Sequence, residues 1–327
     1  VLESAPLPLL AVRLIGKPAS AEGRECYRVS TLTADLRADL AGETGGAALV
    51  ADPRCAGVAF TGGTETAWAI NRTLAARQGP IAPFIAETGG LNGMVVDATA
   101  LGERVIDDVL DSAYGSAGQP CSALGLLFLP EQTADGLIEG LIGAMDALRL
   151  GDPADPATDV GPVIDAEALS ALETHLQGLR ARGRVLHQLA APGKGTFFGP
   201  VLAQIERPSD LTGEVFGPIL HVVRYGPHDL EPFARELAGL GYGLTLGVHS
   251  RIEGFARRVR ELVPAGNAYV NRSMIGAVVG VQPFGGEGLS GTGPKAGGPH
   301  ALLRYGVERA LSVNIAAQGG DPQLLIL

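Results

Sequence analysis

Apolar runs and helically spaced segments alternate along most of the chain. The run CAGVAF at 55–60 ends in TGGTE, and the segment TETAWAINRTLAARQ that follows it has helical spacing. A second apolar run, PFIAETGG at 83–90, also ends in a glycine turn, and the run MVVDATA comes next. Buried strands that end in glycine-rich turns and lead into helices are predicted for both regions.

The same alternation continues toward the C-terminal end. Helices are predicted over 47–52, 102–117, 131–148, 166–182, 229–239 and 252–263, and strands over 123–129, 185–189, 200–205, 219–224, 244–248 and 268–271. A long glycine-rich stretch then precedes a predicted terminal helix and an apolar tail. Strands that alternate with helices indicate an α/β protein with largely parallel sheets. Residues 1 to about 45 have weak periodicity and support no clear prediction.

Composition and charge narrow the class of protein. The chain has 327 residues, of which 46% are hydrophobic and 18% charged, so it can bury one large core or two modest ones. Its net charge of −10 argues against a nucleic-acid partner, because phosphate binding needs a basic face. The apolar stretch at 6–15 is too short to span a bilayer. The chain starts without Met, which is typical of a fragment or a processed piece.

The cysteines and histidines suggest neither a disulfide framework nor a metal site. Cys26, Cys55 and Cys121 lie far apart and are odd in number, and no pair of histidines has metal-ligand spacing. We therefore expect no metal and a reducing, cytoplasmic setting.

One cysteine has a sequence context that suits chemistry. Cys121 lies in GQPCSAL, after a Gly-Gln-Pro turn and before an apolar strand. Backbone N–H groups exposed in such a turn can lower the pKa of a thiol, and the thiolate is the nucleophile. A buried structural cysteine is the alternative, and it is the interpretation that we keep for Cys26 and Cys55.

Two glutamates also occupy glycine-flanked turns. Glu87 ends an apolar strand in AETGG, where a carboxylate is costly to bury, so it is either solvated or a general base. Glu214 lies in the loop GEVFGP and either binds the hydroxyls of a ribose or faces water.

Taken together, these motifs resemble the aldehyde dehydrogenase superfamily. FTGGTE, ETGG, GQPCS, EVFGP and QPFGGEGLSGTG occur in this order, and the resemblance extends from about residue 46 to the C-terminus. Longer stretches such as IAETGGLNGMVVDATAL and DSAYGSAGQPCSAL look like the L-glutamate γ-semialdehyde dehydrogenase module of bifunctional proline utilization A. The resemblance implies an α/β aldehyde dehydrogenase-like fold, with a parallel-sheet catalytic domain and an incomplete Rossmann-type cofactor domain.

The resemblance also implies a mechanism and a set of contacts. Cys121 would attack the aldehyde, NAD would accept the hydride, and Glu87 would activate the water that releases L-glutamate, a step of proline catabolism. Glu214 would hold the nicotinamide ribose. Further cofactor contacts are implied at Phe60, Thr61, Gly62, Gly63, Thr64 and Phe216, and substrate contacts at Gly276, Ala277 and Phe284.

The family pattern has departures in this chain. Gly63 stands where a Ser is usual, Pro120 replaces a common Arg, and the Pro-Trp-Asn-Phe-Pro segment that supplies an oxyanion donor is not found. GKPAS at 16–20, with Lys17, resembles the family's cofactor segment only faintly. We therefore expect weakened NAD binding, and a catalytically inactive module that serves as an assembly or interaction domain is the alternative function.

The expected organisation has three parts. Residues 1–86 would form a shortened NAD-binding domain, residues 87–310 a catalytic domain, and residues 311–327 a C-terminal β-hairpin that forms an interface. The hairpin is suggested by alternating apolar positions, a Gly-Gly turn and a final LLIL. Besides the aldehyde, the expected partners are a second copy of the chain and a proline dehydrogenase, fused or separate.

Overall fold

The computed structural model describes residues 12–14, 42–278, 280–314 and 317. The helices are α1 (Gly42–Ala51), α2 (Thr64–Ala76), α3 (Gly102–Tyr114), α4 (Glu131–Met145), α5 (Ala166–Ala181), α6 (Leu230–Gly239) and α7 (Glu253–Leu262). The strands are β1 (Val12–Leu14), β2 (Val58–Thr61), β3 (Phe84–Glu87), β4 (Asn92–Val96), β5 (Leu124–Pro130), β6 (Val185–Gln188), β7 (Val201–Ile205), β8 (Ile219–Tyr225), β9 (Tyr242–Gly243), β10 (Thr245–His249), β11 (Asn267–Val270) and β12 (Glu287–Gly288).

A small parallel sheet is formed by the first three strands, in the order β1-β2-β3. Val58 and Phe60 of β2 are buried, whereas Thr61 at the end of the strand is exposed. Val50 of α1 and Ile70 of α2 belong to the same apolar cluster. The apolar face of the sheet is therefore covered by the two helices that flank β2 in sequence.

A larger sheet has seven strands in the order β11-β10-β4-β5-β8-β7-β6. All neighbouring strands in it are parallel except the edge pair β6 and β7. Its central strands are almost continuously apolar, as expected for a sheet buried on both faces. In β5, for example, Leu126, Leu127 and Leu129 have no exposed surface. The prediction of an α/β fold with largely parallel sheets is confirmed.

The glycine-rich segment at 285–292 joins the two sheets. The Thr88 N–H donates to the Ser290 carbonyl at 3.1 Å, and the Thr292 N–H donates to the Ala86 carbonyl at 2.9 Å. The same segment contains β12, which pairs with β9 in an antiparallel ladder. The residues on either side of Glu87 are therefore held by a segment some two hundred positions later in the chain.

Most of the predicted elements are present, and the differences have local causes. The helix predicted over 102–117 ends at Tyr114, because Ser116 and Ala117 have left-handed backbone angles, with φ of 52° and 54°. The helix predicted over 131–148 ends at Met145. Two short elements, β9 and β12, have no periodic signal in the sequence and were not predicted.

The predicted terminal helix is wrong for residues 299–314, which form no α-helix. The structure has only a short 3₁₀ turn there, at Leu302–Tyr305. Leu302 and Leu303 are 81% and 71% exposed, so no apolar face is buried that would stabilise a longer helix. In the tail, residues 311–314 are exposed and form no strand, and the rest of the predicted hairpin lies outside the described residues, apart from Ala317. Lys17 and Cys26 also lie outside them.

Candidate active site

The candidate site lies where the carboxyl end of the small sheet meets the amino edge of the large one. Glu87 is the last residue of β3, and Asn92 is the first residue of β4. Cys121 comes just before β5, and Thr245 is the first residue of β10. Because β10, β4 and β5 are neighbours, the turns that precede them lie side by side.

The thiol of Cys121 is partly buried and free of a disulfide. Burial raises its pKa to about 11, with further increases from the charges of Glu214 and Glu87. The backbone N–H groups of Cys121 and Ser122 lower the pKa. The thiol is therefore close enough to both predicted carboxylates to interact with their charges.

Glu87 carries a buried carboxylate, and neither oxygen accepts a hydrogen bond of normal geometry in the described structure, although the Gly286 N–H is close enough to affect its pKa. Burial raises the pKa of Glu87 to about 7, against smaller lowering effects of the Gly286 N–H and the Lys295 ammonium. A Cβ atom added to Gly285 would lie 2.8 Å from a carboxylate oxygen, so glycine is what leaves room for the carboxylate. A carboxyl group with a pKa near neutrality is suited to act as a general base.

Glu214 points back toward the glycine turn that follows β3. Its Oε1 accepts the Gly90 N–H at 2.8 Å, and a Cβ atom on Gly89 would overlap its carboxylate. Burial raises the pKa of Glu214 to about 7, and the hydrogen bond from Gly90 lowers it. Phe216 is 42% exposed in the same loop and lines, with Glu214, a small cavity of about 20 Å³.

The turn that carries the predicted cofactor contacts Gly62 and Gly63 joins β2 to α2. The Gly62 N–H donates to the Glu87 carbonyl at 3.1 Å, which anchors the turn beside β3. Gly63 is the N-cap of α2, and no side chain caps the helix there. A Cβ atom on Gly63 would meet no atom within 4 Å. The first N–H groups of the helix are thus open to an anion, which the helix dipole favours.

A groove of about 680 Å³ is lined by residues with predicted catalytic, cofactor-binding and substrate-binding roles. Among the residues that line it are Phe60, Thr61, Glu87, Ala277 and Phe284.

Seven of the twelve predicted site residues do not line this groove: Cys121, Gly62, Gly63, Thr64, Glu214, Phe216 and Gly276. Thr64 lines a separate groove of about 650 Å³, together with Trp68 and Leu289. Gly276 is adjacent to Ala277 but does not line the first groove, and its carbonyl lies 3.5 Å from a guanidinium nitrogen of Arg272. Cys121 does not line the first groove, but the charge of Glu87, which does, raises the pKa of the Cys121 thiol. Of the cofactor residues predicted at 60–64, Phe60 and Thr61 therefore line one groove, Thr64 lines the other, and Gly62 and Gly63 line neither.

Residues 39–310 match the model of the family described as "Aldehyde dehydrogenase family". The chain belongs to this family. It is 50% identical over 297 residues to a protein named "Bifunctional protein PutA" from Klebsiella aerogenes, a match that covers 86% of the chain and 23% of that protein.

Solved structures of aldehyde dehydrogenase relatives agree with this assignment. A crystal structure of bifunctional proline utilization A (PutA) has 56% identity and a TM-score of 0.82, over 84% of this chain and 28% of that one. A 1-pyrroline-5-carboxylate dehydrogenase from Thermus with bound NAD has 32% identity and a TM-score of 0.72, over 80% of this chain and 51% of that one. The chain thus spans about a quarter to a half of the length of these relatives.

Three residues of the candidate site were not predicted from the sequence. Asn92 bonds to the turn that carries Cys121, Tyr242 interacts with Glu214 and with the Thr64 side chain, and Lys295 lowers the pKa of Glu87. The one available signal was an Asn at the start of an apolar strand, two residues after Gly90, because a buried amide needs hydrogen-bond partners. Lys295 lies two residues after the QPFGGEGLSGTG motif, but no local pattern linked either Lys295 to Glu87 or Tyr242 to Glu214.

Proposed function

We propose that this chain carries out the NAD-dependent oxidation of L-glutamate γ-semialdehyde to L-glutamate. The observation that carries the proposal is the Cys121 thiol within electrostatic reach of two buried carboxylates, Glu87 and Glu214. Such a cluster of groups with displaced pKa values is typical of a catalytic site.

The proposed chemistry begins at the thiol. With a pKa of about 11, Cys121 is protonated near neutral pH and needs a base. Glu87, with a pKa of about 7, is suited to take the proton as sulfur forms a bond to the aldehyde carbon. Glu87 would release that proton to solvent before the adduct, once oxidised, is hydrolysed. The ionised Glu87 would then take a proton from the attacking water as the carbon–sulfur bond breaks, which releases the carboxylate and regenerates the Cys121 thiol.

Several residues fit a dinucleotide. The open N-terminus of α2, preceded by Gly62 and Gly63, would hold the pyrophosphate, and the Glu214 carboxylate would accept ribose hydroxyls. Phe60, Thr61, Thr64 and Phe216 complete the proposed set. NAD, when bound, supplies the hydride acceptor. The NAD bound to the Thermus relative supports this choice of cofactor.

The proposed substrate rests on the groove and on the names of the relatives. Ala277 and Phe284 line the groove together with Glu87, and Gly276 is adjacent. Backbone N–H groups of this segment would bind the carboxylate of the semialdehyde. The relatives named 1-pyrroline-5-carboxylate dehydrogenase support the same substrate class.

The proposal extends to partners, compartment and organisation. PutA is named bifunctional, and the chain spans about a quarter of its length, which supports a fused or separate proline dehydrogenase partner. We further propose a homo-oligomer and, because Cys55 and Cys121 are free thiols, a cytoplasmic setting. The division into a shortened cofactor domain, a catalytic domain and a C-terminal interface tail is part of the same proposal.

The deciding experiment measures NADH formation from L-glutamate γ-semialdehyde by this chain. We expect Cys121→Ser to abolish NADH formation and Cys55→Ser, at a buried position outside the site, to leave it largely intact. Equal loss from both substitutions would refute the assignment of the nucleophile.

An assembly or interaction module is the second candidate function. It is favoured by large apolar side chains that are exposed in the loop before β3 and in the segment 302–311, among them Ile81 at 100%, Leu302 at 81% and Leu311 at 89%. This function predicts stable complex formation by the Cys121→Ser variant and no NADH formation by the unsubstituted chain.

A further inference from the structure

We infer that Asn92 is a positioning residue, which sets the reactivity of Cys121 by fixing the peptide between Cys121 and Ser122. The inference rests on the proposed function only in taking Cys121 as the nucleophile.

The amide of Asn92 is buried and fully bonded. Its exposed fraction is 2%. Its Nδ2 donates to the carbonyls of Cys121 at 2.8 Å and Ala123 at 2.9 Å, and its Oδ1 accepts the Thr245 N–H at 3.0 Å. Because Thr245 offers a backbone donor, the oxygen of the amide must face β10 and the nitrogen must face the cysteine turn.

This arrangement orients a hydrogen-bond donor toward the thiol. In a trans peptide the carbonyl and the N–H point in opposite directions. When Asn92 holds the Cys121 carbonyl, the Ser122 N–H of the same peptide points away from Asn92. That N–H interacts with the Cys121 thiol and lowers its pKa. Asn92 therefore favours the thiolate without touching the sulfur.

Thr245 acts as a second clamp on the same turn. Its hydroxyl donates to the Ser122 carbonyl at 3.3 Å, so the carbonyls of three successive residues are held by two buried side chains. The turn needs such support, because Ser116 and Ala117, just before it, have left-handed backbone angles that cost free energy. Burial and the charges of Glu87 and Glu214 meanwhile oppose thiolate formation.

The test is the pH dependence of iodoacetamide alkylation at Cys121, followed by mass spectrometry of the Cys121 peptide. We expect Asn92→Leu to move the alkylation midpoint to higher pH and to slow alkylation below that midpoint about tenfold, which corresponds to about one pH unit. Thr245→Val, which keeps the backbone bond to Asn92, should have a smaller effect in the same direction. Ser112→Ala is the control, since Ser112 is buried but bonds to Asp108 and Met274 and not to the cysteine turn.

Cys55 is 1% exposed, so its alkylation reports whether a substitution has partly unfolded the chain. If Asn92→Leu exposes Cys55, the Thr245→Val variant decides. An unchanged Cys121 midpoint in variants that still protect Cys55 would overturn the inference. A chain that forms no NADH but has the expected midpoint shift would refute the proposed function and leave the role of Asn92 intact. A chain that forms NADH without the shift would refute only the role of Asn92.

Discussion

The backbone N–H of Gly90 donates to Oε1 of Glu214 at 2.8 Å, across 124 positions of sequence. The preceding residue must be glycine, because a Cβ atom on Gly89 would overlap the carboxylate. This contact holds a charge near Cys121 and contributes to the raised pKa of the thiol.

Gly89→Ala should therefore displace the Glu214 carboxylate and lower the pKa of Cys121. Glu214→Gln removes the same charge and should also lower the pKa of Cys121, by on the order of one unit, as expected when a nearby negative charge is lost. The measurement is the alkylation midpoint of Cys121. Gly143→Ala in α4, where an added Cβ atom meets nothing within 4 Å, is the matched control. An alkylation midpoint that is the same in both site variants as in the unsubstituted chain would contradict this account.

Glu87 should destabilise the folded chain at alkaline pH. The pKa of Glu87 is about 7 in the folded chain, against an ordinary 4.5. Below about pH 4.5 the carboxyl group is protonated in both states and costs nothing. The free energy of unfolding then decreases as pH rises through about 7, because the buried carboxyl group must ionise. Glu87→Gln should raise the free energy of unfolding at about pH 8 by about 1 to 3 kcal/mol, and by much less at about pH 4. Urea unfolding at both pH values measures the difference, with exposed Glu139→Gln in α4 as the control. A gain of equal size at both pH values would argue against a titration effect.

His221 should have the opposite pH dependence. Its ring is fully buried, with Nε2 at 2.9 Å from Nε2 of His175 and Nδ1 at 3.0 Å from the Gly125 carbonyl. Burial, and then His175, lower the pKa of His221 to about 4 from 6.5. The unfolded chain therefore binds a proton first, and stability is lost as pH falls from about 6.5 to about 4, by up to about 3 kcal/mol. His221→Gln should reduce this dependence of the free energy of unfolding on pH. His228→Gln, at an exposed position, should leave the dependence unchanged.

Gly63 should limit the affinity for NAD. Its backbone is extended, with φ of −68° and ψ of 150°, and the space around a Cβ atom is open, so Ser fits without strain. At an N-cap, replacing Gly by Ser changes stability by only about a few tenths of a kcal/mol. We expect weak or absent NAD binding by the chain in calorimetric titration, and tighter binding by Gly63→Ser with little change in melting temperature. Micromolar binding by the unsubstituted chain would show that Gly63 is not limiting.

The tail should affect assembly. Leu311 and Val313 are 89% and 51% exposed, so their apolar surface has little cover in the described structure. Burying each such side chain against a second subunit would contribute about 1.5 to 3 kcal/mol before ordering costs. Deleting residues 311–327 should change the sedimentation mass or sharply lower solubility. A truncated chain of unchanged mass, solubility and melting temperature would contradict an interface role.

The sequence by itself determined the elements and the family. Continuous apolar runs such as that of β5, and the four-residue spacing of Leu137, Leu141 and Met145 in α4, depend only on local periodicity, so the strands and helices could be predicted. The ordered motifs around Glu87 and Cys121 likewise needed no structure to be linked to the aldehyde dehydrogenase family, because each lies within a few residues of chain.

Only the tertiary structure decided how these groups interact. The pKa values of Glu87 and Cys121 depend on burial between two sheets, which no local pattern contains. The roles of Asn92 and Tyr242 arise from contacts with residues that are distant in sequence. The end of α3 lies at the Gly115 cap, but the left-handed backbone angles of Ser116 and Ala117 that follow it are not typical of those residue types. Such features are set by which strands become neighbours, and that depends on packing of the whole chain.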